Sequence, residues 1–128
     1  MKEIVLDSKR KKAGHYAPGI ISRGLLYISG QLPINLNTGE LAEGGIEAQA
    51  RQVFSNLDHI LQAAGTTRNS VVQCRVYIPD MRYWEKINEL YAEYFGHHRP
   101  ARVVVPTNEL HYGALVEIEA VAEVGDEA

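Results

Sequence analysis

The chain has 128 residues, 45% of them hydrophobic and 23% charged; this suits one domain with one core, and excludes both a disordered chain and two full domains. A net charge of −3 and a pI near 5.9 would weakly repel a polyanion, so nucleic acid is a poor partner for the molecule as a whole. The single cysteine, Cys74, excludes an internal disulfide and a cysteine-based zinc cluster.

No apolar run approaches the ~20 residues of a membrane-spanning helix, and "MKEIVLDSKRKK" lacks the hydrophobic centre of a signal peptide, so a cytoplasmic location is expected. Along the chain, "EIVL" reads as a first strand, and Lys9–Lys12 as a solvated loop without the interleaved aromatics of a base-stacking surface. "APGIISRGLLYISGQLP" follows as two strands joined at Arg23-Gly24, and "NLNTGE" as a further turn. From Ile46 the period changes: Ile46, Ala50, Val53, Leu57, Ile60, Leu61 and Ala64 form one helix face, closed by Gly65 as a left-handed cap. "SVVQCRVYI" is a strand in which Cys74 reads as a small buried hydrophobe. Asp80 is placed to cap a second helix, "MRYWEKINELYAEYF", with Trp84, Ile87, Leu90, Tyr91, Tyr94 and Phe95 as its apolar stripe and Gly96 after it. A valine strand that Pro106 must end or leave at an edge, then "ALVEIEAVAEV", complete the order β-β-β-α-β-α-β-β, with 125–128 as a tail.

Two helices, each ~10 Å across, cover one face of about four strands spaced ~4.8 Å apart, leaving the other face without a lid. In the last strand Ala114, Val116, Ile118, Ala120 and Ala122 share one side and suit the helices. Leu115, Glu117, Glu119 and Val121 share the other, a mixture that suits neither a dry core nor open water. A homo-oligomer packed through this second face is therefore expected.

Two charged residues stand where strands favour apolar ones. Arg102 either pairs with a nearby carboxylate or, held rigidly at a strand end, grips a small carboxylate through two parallel hydrogen bonds. Glu117 is either a plain exposed strand residue or one of two carboxylates, with Glu119, that raise each other's pKa and supply a general acid or base. The five histidines show no metal-ligand spacing. No P-loop, GxGxxG or GxSxG motif occurs, so acyl transfer and nucleotide binding have no local support.

Taken together, "YISGQLPINLNTGEL", "QARQVFSNLDHILQAAG", "VVQCRVYIPDM", "INELYAEYFG", "RPAR" and "GALVEIEAVA" resemble, in order and over about residues 14 to 124, the RidA family, also called YjgF. The resemblance implies a single α+β domain with a six-stranded mixed sheet, two helices on one face, a chorismate mutase-like fold, and a trimeric barrel with sites between subunits. It implies hydrolysis of reactive 2-enamino or 2-imino acids to 2-oxo acids and ammonia, a 2-iminobutanoate/2-iminopropanoate deaminase activity that limits metabolite damage without metal or organic cofactor. Arg102 would hold the substrate carboxylate and Glu117 would position or activate the attacking water. Tyr16, Ser29, Gly30, Gln31 and Asn88 would line the cleft.

The chain departs from the family pattern at three places. "GHYAPG" places His15 and Pro18 around the retained tyrosine, Val104 stands at the usual cysteine position, and "ELHYG" puts His111 and Tyr112 before the last strand. Val104 can still supply main-chain contacts, and His111 is either a turn residue or part of a reshaped pocket. Two other readings stay open: a non-catalytic module binding a carboxylate metabolite on the same trimeric fold, and a ribonuclease or translation inhibitor. The acidic charge weighs against the last.

Overall fold

A computed structural model describes residues 1–6 and 14–125. The Lys9–Lys12 cluster and positions 126–128 of the expected tail lie outside the described residues. The chain forms β1 (Lys2–Glu3), β2 (Gly19–Ser22), β3 (Leu25–Gln31), α1 (Gly45–Ala63), β4 (Val71–Ile78), α2 (Trp84–Phe95), β5 (Ala101–Pro106) and β6 (Glu117–Glu123). Short 3-10 turns at Arg68–Ser70, Met81–Tyr83 and His111–Gly113 join them, and the order is the one expected from the sequence.

The six strands make one mixed sheet in the order β1-β2-β3-β6-β4-β5. Only β4 and β5 run parallel, because α2 carries the chain back between them; the other pairs are antiparallel. Arg23 and Gly24, at φ 53 and 78, form the two-residue turn whose twist matches the β2–β3 hairpin. Pro106 is the last residue of β5, an edge strand, where a missing N–H does the least harm.

Both helices lie over one sheet face. From α1, Ala50, Val53, Leu57, Ile60 and Leu61, and from α2, Ile87, Leu90, Tyr91 and Phe95, meet Leu26, Ile28, Cys74, Val76, Ile78, Ile118, Ala120 and Ala122 in one buried cluster. Two polar residues break the apolar face of α1, and both have structural partners. Asn56, 1% exposed, donates to the carbonyls of Leu32 (3.1 Å) and Ile34 (2.9 Å) and so anchors the loop after β3. Gln49, 6% exposed, accepts from the Leu115 N–H at 2.8 Å.

Three boundaries differ from the sequence reading. Only Lys2 and Glu3 of the first segment pair as strand, while Ile4 turns into the core and its N–H donates to the Gly19 carbonyl at 2.9 Å. Asp80 caps the 3-10 turn before α2 and not α2 itself, its carboxylate accepting from the Arg82 N–H two residues on at 2.9 Å. The last strand starts at Glu117 and not at Ala114, because the Leu115 N–H is taken by Gln49 instead of a neighbouring strand.

The alternation within β6 is as expected. Val116, Ile118, Ala120 and Ala122 are buried under the helices, whereas Glu117, Glu119 and Val121 are half-buried on the other face. Tyr27, 49% exposed, pairs with Val121 on that second face, and no helix among the described residues covers it.

Candidate active site

Arg102 lies on β5 opposite Cys74 in the register, so it points to the helix-covered side at the sheet's edge. Its guanidinium donates to Asn88 Oδ1 of α2 at 2.9 Å and sits over the rings of Tyr91 and Trp84, 4.8 and 5.8 Å from their centroids. No ion pair joins it to a carboxylate among the described residues. A guanidinium has five N–H donors and one is spent on Asn88, so a fork remains for an incoming anion. Beneath it, burial pushes the Cys74 thiol up to about 11, with Tyr91 and Arg102 opposing, so the one cysteine is an inert core residue. Val104, two residues beyond Arg102 and paired with Val76, packs half-buried against the core on the same side.

Glu117 has a different setting. It pairs with Tyr77 on the open face and lies against Gly30, where an added Cβ would fall 3.2 Å from its Cδ and closer still to Oε2. The β3–β6 register shifts between Ile28 and Gln31, and this bulge lays the Gly30 backbone beside the carboxylate. Ser29 Oγ donates to the Ala17 carbonyl at 2.6 Å and Gln31 Nε2 to the Ser29 carbonyl at 3.0 Å, so both side chains brace the bulge and fasten the segment carrying Tyr16 to it. Tyr16 itself is 45% exposed.

The two carboxylates of β6 are not equivalent. Glu119 accepts from the Tyr77 hydroxyl at 2.8 Å and pairs with Arg75 at 3.4 Å, which leaves it structural. Glu117 has no hydrogen bond among the described residues. Its carboxyl pKa is raised, first by burial and then by the Glu119 charge, with His111 pulling the other way.

Arg102 and Val104 face the helices while Glu117 faces away from them, with β4 lying between their strands. Within one chain, therefore, the structure brings Arg102 together with Asn88, and Glu117 together with Gly30 and His111, but does not join the two groups.

A family model described as endoribonuclease L-PSP matches residues 7–124. A RutC family protein of Pyrococcus horikoshii is 45% identical over 123 residues, covering 95% of this chain and 98% of its own. The human 2-iminobutanoate/2-iminopropanoate deaminase is 36% identical over 126 residues, covering 98% and 92%. The chain belongs to the Rid (YjgF) family. Among solved Rid structures, one from Yersinia pestis superposes with a TM-score of 0.90 at 41% identity, over 95% of this chain and 98% of that one.

Sequence reasoning missed four members of this Rid chain's site. Trp84 and Tyr91 read as ordinary stripe residues of α2, yet they wall the Arg102 guanidinium. Gln49 holds the main chain just ahead of Glu117. A signal for it existed, since spacing from Ile46 and Val53 puts a glutamine on the apolar face of α1. Tyr112, with φ 62, stacks on His111 at 3.7 Å between ring centroids, a contact that spacing does not reveal.

Proposed function

We propose that this protein hydrolyses 2-enamino and 2-imino acids to 2-oxo acids and ammonia in the cytoplasm, as a homotrimer whose sites each take Arg102 from one subunit and Glu117 from the next. The observation that carries the reading is the contrast in charge states: an arginine fork with no carboxylate partner on one side of the sheet, and an unbonded carboxylate of raised pKa on the other. Packing the open face of one subunit against the β5 edge of another supplies the second half of each site and covers the half-buried residues of β6. The family-level kinship to the human deaminase supports the same chemistry.

In this reading Arg102, oriented by Asn88, holds the substrate carboxylate, while Val104, Tyr16 and His111 border the pocket. Ser29 and Gln31 keep Gly30 against Glu117. An enamine first tautomerises to the imine. Glu117 takes a proton from water as the water oxygen bonds to C2 of the protonated imine, and the C=N π electrons move to nitrogen. Glu117 then returns that proton to the nitrogen, the C–N bond breaks, ammonia departs, and the new hydroxyl gives up its proton to leave the 2-oxo acid. The iminium carbon is already electrophilic, so orientation and one well-placed base are sufficient.

The test is to generate 2-iminobutanoate in place with an amino-acid oxidase and follow its disappearance. Acceleration over buffer that vanishes in Arg102→Ala and in Glu117→Ala is the expected result. No acceleration by the wild type over a panel of imines would leave a carboxylate-binding protein instead.

A further inference from the structure

The turn at His111–Gly113 is built in a way that a plain connector does not require. Tyr112 and Gly113 are both left-handed, at φ 62 and 69, and an aromatic residue in that region is strained. The turn is held from both ends: Leu110 and Ala114 are buried, and the buried Gln49 of α1 grips the Leu115 N–H at 2.8 Å. Its own carbonyls are used as well, the Gly113 N–H donating to Leu110 at 3.1 Å and the Ala114 N–H to His111 at 3.2 Å. What this frame holds up is a pair of rings, His111 against Tyr112 at 3.7 Å and 44°, with Tyr112 53% exposed. The imidazole is near enough to Glu117 to influence its carboxyl, so the rings stand beside the carboxylate that faces Gly30.

We infer that the stacked His111–Tyr112 pair, held in place by Gln49, is the specificity-determining wall of the site and favours imino acids with flat aromatic side chains over small aliphatic ones. The inference rests on the site proposed above and names its substrate class. An aromatic side chain gains a stacking surface on the ring pair that an ethyl group cannot use, while the carboxylate and the imine carbon keep the same partners in both cases. Gln49 acts as a positioning residue: it touches no substrate and sets the height of the turn through the main chain.

The experiment compares wild type, Tyr112→Asn and Tyr112→Phe. Asparagine tolerates the left-handed backbone without the ring, and phenylalanine keeps the ring. Imines of phenylalanine and of 2-aminobutanoate are generated in place by an amino-acid oxidase, and binding of phenylpyruvate and 2-oxobutanoate is measured by calorimetry. Wild type should prefer the aromatic member of each pair, and the aromatic-to-aliphatic ratio should fall roughly tenfold in Tyr112→Asn and be restored in Tyr112→Phe. An equal ratio in wild type and Tyr112→Asn overturns the inference while leaving the deaminase reading intact. Binding with the same ratio change but no hydrolysis overturns the deaminase reading and keeps the wall. Failure to bind either oxo acid overturns the wall, as does a Tyr112→Asn protein whose sedimentation differs from wild type, since the rings would then be subunit contacts.

Discussion

Replacing Gly30 with alanine separates the placement of Glu117 from the stability of the fold. The backbone at Gly30 is not left-handed, so alanine fits the local conformation, and the new Cβ meets only the Glu117 side chain: 3.5 Å to Cγ, 3.2 Å to Cδ, and less to Oε2. The carboxylate is the free end of a flexible side chain and moves aside by on the order of 1 Å, a misplacement that costs about 100-fold in rate. That corresponds to about 2.7 kcal/mol of transition-state stabilisation. Folding is little affected, because the entropy gained on replacing glycine, ~0.4–1 kcal/mol, offsets a contact that relaxes by rotation. The assay is kcat/KM for 2-iminobutanoate beside a melting curve, with the expected loss in kcat and a Tm within a few degrees of wild type. In a Glu117→Ala background the same Gly30→Ala change should cost nothing further, since its effect passes through the carboxylate. Activity within threefold of wild type in Gly30→Ala, or losses that add in the double variant, would refute the claim that this glycine exists to seat Glu117.

Arg102→Lys keeps the charge but loses the planar fork, and should lower kcat/KM by roughly 100-fold, mostly through KM, with 2-oxobutanoate binding weakened in parallel. The acid limb of the kcat/KM profile should titrate above the ordinary carboxylate range because Glu117 must be ionised to act as a base and burial raises its pKa. Glu119→Gln removes a charge that raises this pKa and should move the limb to lower pH, whereas His111→Asn removes a group that lowers it and should move the limb to higher pH. Asn56→Ala strips two buried carbonyls of their donor and should cost about 3 kcal/mol, seen as a Tm lower by roughly 10 °C with kcat/KM measured well below the transition nearly unchanged.

The helices and most strands were legible because they are local patterns: a three-to-four spacing in α1 and α2, and strict alternation in β6. Arg102 and Glu117 were legible for a related reason, as charges in segments that otherwise favour burial. Their placement on opposite faces was not, because it depends on β4 pairing with β5 in parallel and with β6 antiparallel, and both registers are contacts between distant residues. The start of β6 was misplaced for the same reason, since the residue that ends its ladder, Gln49, lies 66 positions earlier on α1. Trp84 and Tyr91 show a different limit. An aromatic on an apolar stripe looks identical in sequence whether it fills a core or floors a guanidinium pocket.

The division of Arg102 and Glu117 between the two sides of the sheet has a genetic corollary. Under the proposed composite site, a chain lacking the arginine and a chain lacking the glutamate are each inactive alone, yet each retains the half that the other has lost. Randomly mixed in trimers, they should rebuild about a quarter of the wild-type sites. Two null alleles of this protein, expressed in one cell, would complement each other.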